Sequence, residues 1–169
     1  MIEQEKKMDY NFTADEIFEV AIRIEANGAS FYRKAAAAQS DGSNRAFLEQ
    51  LANMEDHHQT TFEKMRKDLK PHEKQATVFD PNQETAQYLA VMADTHGGEG
   101  SPQAADALTG NESIHEIIDI AIGLEKESIL FYLGLKDFVP PDYGKDKLDR
   151  IIREEQRHII QLNGFRKKL

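Results

Sequence analysis

Shifted against itself by 100 residues, the sequence lines up without a gap. Glu16, Ile17, Ala21, Ile22, Glu25, Phe31, Tyr32, Leu48, Glu55, His58, Arg66, Lys67 and Leu69 all fall on identical residues between Glu116 and Leu169. A chain carrying one unit twice is constrained to fold as two like units, and both units here have helical periodicity. In the first, Thr13 and Glu16 spell a capping box, and Phe12 can staple onto Ile17. Ile17, Ala21, Ile24, Gly28 and Tyr32 share a face, which predicts a helix to about Ala38. Ser40-Asp41-Gly42-Ser43 reads as a turn, and a second helix is predicted from about Asn44 to Leu69, ended by Pro71.

The second unit repeats the plan. Ser113 and Glu116 open a helix to about Phe138, Pro140-Pro141-Asp142 turns the chain, and a fourth helix runs from about Lys145 to the end. Short turns make each unit an antiparallel hairpin. Between the units the pattern is punctuated by Pro81, Gly97-Gly98-Glu99-Gly100 and Pro102, with one short helix predicted near Gln83 to Thr95 from Tyr88, Leu89 and Met92. A helix of this length spans ~37 Å, and the connection is long enough to run the length of a bundle. The prediction is one all-α domain over 1–169: a loose leader (1–11), a hairpin (12–69), a crossover (70–112) and a second hairpin (113–169). Two hairpins joined by one long crossover make a ferritin-like four-helix bundle.

Composition narrows the chemistry. The net charge is −9, with 30% charged and 40% hydrophobic residues, and no basic face suggests nucleic acid as a partner. Arg166, Lys167 and Lys168 suit the C-terminal end of a helix. The absence of Cys excludes disulfides, zinc ribbons, iron–sulfur clusters and thiol catalysis. No apolar run approaches the ~20 residues that span a membrane. The polar stretch from Met1 to Asp9 does not read as a signal peptide, so a cytoplasmic location is expected.

The strongest chemical signal sits inside the repeat. Glu55-x-x-His58 and Glu155-x-x-His158 each place a carboxylate and an imidazole one helical turn apart, which is a metal half-site. One such pair means little in an acidic chain. These two are centred on apolar stripes, Leu48, Leu51, Ala52 and Phe62 around the first and Leu148, Ile151, Ile152, Ile159 and Leu162 around the second. Acids on core-facing stripes are costly unless paired or metal-bound. A third pair, Glu112 and His115, lies at a helix start without a repeated counterpart and is read as accidental. His57, His72, His96 and Glu154 are read as solvated.

Glu25 and Glu125 occupy the same core-facing position on the first and third helices, completing a set of six: Glu25, Glu55, His58, Glu125, Glu155 and His158. One Glu from each of two helices and one Glu-x-x-His from each of the other two is the di-iron or di-manganese carboxylate pattern. Four carboxylates balance two divalent cations, and oxygen-plus-imidazole ligation suits Fe(II) or Mn(II) better than structural zinc.

This set, with Glu25-Ala-Asn-Gly-Ala-Ser-Phe-Tyr32, resembles the rubrerythrin-like branch of the ferritin superfamily over most of the chain. The resemblance implies that Glu55 and Glu155 bridge two metals, that Glu25 and Glu125 are terminal ligands, and that each metal takes one His. Tyr32 and Tyr132 would be hydrogen-bond donors just outside the ligands, or simply core tyrosines. It further implies a homodimer and a non-haem redox enzyme that reduces hydrogen peroxide or O2 in oxidative-stress defence, supplied by an unidentified electron donor. Ferroxidase or iron storage, and a non-catalytic interaction bundle, are the alternatives. Two departures stand out. The family's additional third-helix Glu is replaced by Ser128, with Glu127 turned off the face, and the four-Cys rubredoxin module is missing.

Overall fold

The computed structural model describes residues 13–75, 87, 91, 101–136, 139 and 141–169. Among these the chain is helical, without strands, and its long helices form two hairpins. Helix α1 runs Ala14–Ala38 and α2 runs Gly42–Lys67; α3 is the short Pro102–Asp106, α4 runs Ile114–Lys136 and α5 runs Lys145–Arg166. Turns of 3-10 helix cover Pro71–Lys74 and Pro141–Tyr143.

Both capping boxes form. Glu16 accepts the backbone N–H of Thr13 at 2.8 Å and Thr13 Oγ1 accepts that of Glu16 at 3.2 Å. Ser113 and Glu116 do the same at 2.8 and 3.3 Å. Helix α2 begins and ends two residues earlier than predicted, because Asp41 is its cap, accepting from Asn44 N–H at 2.8 Å. The unpredicted α3 starts at Pro102, which reads as a breaker in sequence but fits the first turn, where its missing N–H costs nothing. The predicted Phe12 staple, the end of the third helix at Phe138 and the crossover helix near 83–95 lie outside the described residues, apart from Gln87 and Val91, which are helical.

The core divides into two clusters. Phe18, Phe62, Tyr132, Leu148 and Ile151 belong to one, and Phe31, Tyr32, Leu48, Ile118 and Leu162 to the other. Each long helix contributes to both, and the four conserved-register acids stand where the helices pass between them. On α1, for example, Glu25 follows Ile24 of the first cluster and precedes Phe31 of the second. The apolar layers above and below thereby fix the height at which the acids meet.

Two tethers hold the ends. Arg66 reaches back to Asp15 through two hydrogen bonds of 2.9 Å and to Glu19 at 2.9 Å, and its repeat equivalent Arg166 pairs with Asp119 at 3.1 Å. A second tether was not legible in the sequence. Glu73, buried, accepts Lys70 N–H at 2.7 Å and pairs with Lys147 of α5, tying the start of the crossover to the second hairpin. Gly144 permits this with φ +91°. A Cβ there would stand 2.6 Å from that of Ala14, so this corner admits only glycine.

Candidate metal centre

Glu25 on α1, Glu55 on α2, Glu125 on α4 and Glu155 on α5 are all fully buried. Leaving carboxylates in a dry interior is expensive: unit charges ~4 Å apart interact by about 4 kcal/mol even at an effective dielectric constant of 20. Four such groups in one place call for protons or cations.

The histidines organise the cluster. His58 Nδ1 stands 3.3 Å from Glu55 Oε2 and 3.5 Å from Glu25 Oε2. His158 Nδ1 stands 3.0 Å from Glu125 Oε1 and 3.2 Å from Glu155 Oε2. Each imidazole thus addresses the two acids of its own hairpin. The rings then meet across the pseudo-twofold, Nε2 to Nε2 at 3.2 Å and stacked with centroids 4.0 Å apart. All six residues singled out in the sequence come together here. The imidazole contact between the repeats is the feature the sequence did not announce.

The electrostatics of two of the acids, Glu125 and Glu55, diverge. Burial drives the carboxyl of Glu125 well above the usual carboxylate range, and the negative charges of Glu155 and Glu55 and a hydrogen bond shared with Glu155 push it further. Burial also pushes Glu55 upward, but hydrogen bonding to His58, the charge of His158 and a hydrogen bond with Glu25 outweigh it, and its carboxyl falls below the usual range. Glu125 thus binds its proton more tightly than Glu55 does.

The residues fit a pair of metal ions. Glu55 Oε1, Glu125 Oε2 and Glu155 Oε1 are buried and accept no hydrogen bond among the described residues, leaving acceptor atoms in a place where native proteins rarely leave any. Two groups have donor atoms close enough together to hold an ion, Glu55 with His58 and His158, and Glu125 with Glu155 and His158. The donor set is oxygen and imidazole nitrogen only, with no thiolate in the chain.

Around the cluster, Tyr32 and Tyr132 are buried, each set edge-on to its neighbouring phenylalanine at 5.3 and 5.5 Å. Ser128 is buried in the same layer, while Glu127 faces solvent. The third Glu-x-x-His pair plays no part. Glu112 accepts hydrogen bonds from the hydroxyl and N–H of Thr109, both at 2.7 Å, and from Gly110 N–H, which lowers its carboxyl pKa to about 2. His115 is exposed, as are His57 and His72; Glu154 pairs with Arg157, and His96 lies outside the described residues.

The four-helix arrangement is ferritin-like, and its buried set, a Glu from each of two helices and a Glu-x-x-His from each of the other two, is the pattern of di-iron or di-manganese carboxylate proteins. Residues 16–165 match the model of the rubrerythrin family, and the chain belongs to that family. Among solved structures, a Thermotoga maritima protein assigned as a ferritin-like diiron-carboxylate protein has the same fold. Its TM-score is 0.56 at 24% identity, over 94% of this chain and 97% of that one. Comparison with curated proteins gives no match.

Proposed function

We propose that the chain is a non-haem di-iron peroxidase, with Glu25, Glu55, His58, Glu125, Glu155 and His158 as ligands. The observation that carries this reading is the meeting of four fully buried carboxylates with two imidazoles whose rings stack at 4.0 Å. When bound, two Fe(II) ions supply one electron each, which with two protons take hydrogen peroxide to two molecules of water.

The chain's own residues set the conditions. Glu55 and Glu155 would hold both ions between them, and Glu25 and Glu125 would each hold one, as the family resemblance implies. Their four negative charges neutralise two divalent ions, so the loaded centre is stable in a dry core. The apolar clusters on either side exclude bulk water, which strengthens every interaction within. His58, whose side chain is 13% exposed against 1% for His158, marks the side from which a small oxidant enters. Tyr32 and Tyr132, two turns beyond Glu25 and Glu125, are placed to supply protons through their phenol hydroxyls. Electrons come from an outside donor, because without Cys the chain has no iron–sulfur or rubredoxin-type centre of its own. A homodimer in the cytoplasm is the setting that goes with this reading. No described helix is long and apolar enough to cross a membrane.

The test is stopped-flow oxidation of the anaerobically reduced, iron-loaded protein by hydrogen peroxide and by O2, with iron analysis. The expected result is about two metals per chain and faster oxidation by peroxide. Faster oxidation by O2 followed by accumulation of Fe(III) beyond that stoichiometry makes iron storage the function instead. Failure to take up metal at all makes the bundle an interaction module.

A further inference from the structure

A serine or threonine within a helix commonly returns its hydroxyl to the carbonyl one turn back. Thr60 and Thr61 do so, their Oγ1 atoms donating to the carbonyls of Asp56 at 3.0 Å and His57 at 2.9 Å. Ser128 does not. It sits in the middle of α4, 2% exposed, and its Oγ has no hydrogen-bond partner among the described residues. Buried hydroxyls are almost always satisfied, so this one calls for a reason. Its place supplies one. Ser128 lies one turn beyond Glu125 and one turn before Tyr132 on the buried face of α4. The repeat equivalent, Gly28, has no side chain, so the hydroxyl is a feature of the second hairpin alone.

Charge gives the class of molecule that would meet it. Four carboxylates cancel two divalent ions, and any gain of charge by the ions leaves the centre positive and receptive to an external anion. A hydroxyl with its donor unused, beside that centre in a dry core, is suited to a charge-assisted hydrogen bond. We propose that Ser128 Oγ donates to a small monoanion, of the size of hydroxide or azide, held next to Glu125 in the metal-loaded centre. This assignment rests on the di-metal reading above and adds a residue to it.

Azide serves as the probe. The oxidised, iron-loaded protein is titrated with sodium azide and followed by azide-to-iron charge-transfer absorbance, with iron per chain measured on every sample. Ser128→Ala is expected to raise the azide Kd about tenfold at unchanged iron content. Ser128→Thr, which keeps the hydroxyl, should stay within about threefold of the parent. Ser128→Glu should abolish azide binding, because its own carboxylate takes the seat. A Ser128→Ala protein with the parent's iron and the parent's Kd overturns the anion seat while leaving the metal centre standing. So does a Ser128→Thr protein as weak as Ser128→Ala. A parent that takes up no iron overturns the centre and the seat with it.

Discussion

The two hairpins carry the same buried acids and histidines in the same register, yet their surroundings are not the same. In the first, Glu55 has a lowered pKa and His58 reaches toward solvent. In the second, Glu125 has a raised pKa, His158 is sealed, and a buried serine stands where the first hairpin has Gly28. The tethers differ as well, Arg66 holding two acids and Arg166 one. The equivalent histidines differ in exposure because the helices around each carry different side chains. A duplicated sequence therefore supplies the same six-residue set in two halves without making the halves identical, and His158 is the drier of the two histidines.

The sharpest way to break this comparison is to remove, one at a time, the two acids proposed as bridges. Glu55→Ala and Glu155→Ala should each bring metal content from about two per chain to below one, because a bridge belongs to both ions. The bundle should persist, since the remaining acids can take up protons. Metal analysis with far-ultraviolet circular dichroism checks both points. If each variant kept one metal firmly, the halves would be independent sites and the bridging assignment wrong.

A second, intermediate effect sharpens the contrast in proton affinity. Glu125 has a folded pKa above its ordinary value of 4.5, so it stabilises the metal-free fold below that value and loses the contribution as pH rises through the folded pKa. Glu55 has a lowered folded pKa, so its contribution is present above 4.5 and is lost as pH falls through the folded value. The metal-free protein should thus lose stability as the pH is raised above 4.5 and through the folded pKa of Glu125. Glu125→Gln should flatten the dependence, and Glu55→Gln, which removes one of the charges raising Glu125, should flatten it less, as thermal unfolding across that range would reveal. With metal bound the trend reverses, because ligation needs the carboxylates ionised.

The smallest expected effect is none. Glu112→Ala and His115→Ala should leave metal content at the parent value, because Glu112 is occupied with the loop at Thr109 and His115 faces solvent. Metal lost from either variant would mean that a third Glu-x-x-His pair reaches the centre, and the twofold comparison would no longer hold.

The sequence alone determined the four long helices and the identity of the cluster. Helical spans follow from local rules of periodicity and capping, and Thr13 with Glu16 and Ser113 with Glu116 obey them to the residue. The six cluster residues were legible because an acid on an apolar stripe is an anomaly in one dimension, and the repeat doubled the anomaly in register. What the tertiary structure decided is everything that depends on partners distant in sequence. The stacking of His58 on His158, the opposed proton affinities of Glu55 and Glu125, and the unpartnered hydroxyl of Ser128 arise only when two hairpins close on each other. The pairing of Glu73 with Lys147 beneath Gly144 belongs to the same class, since neither residue has any local signal of the other. Periodicity places a side chain on the inward face of its own helix. The distance, charge and dryness of what it meets there are properties of the packed core.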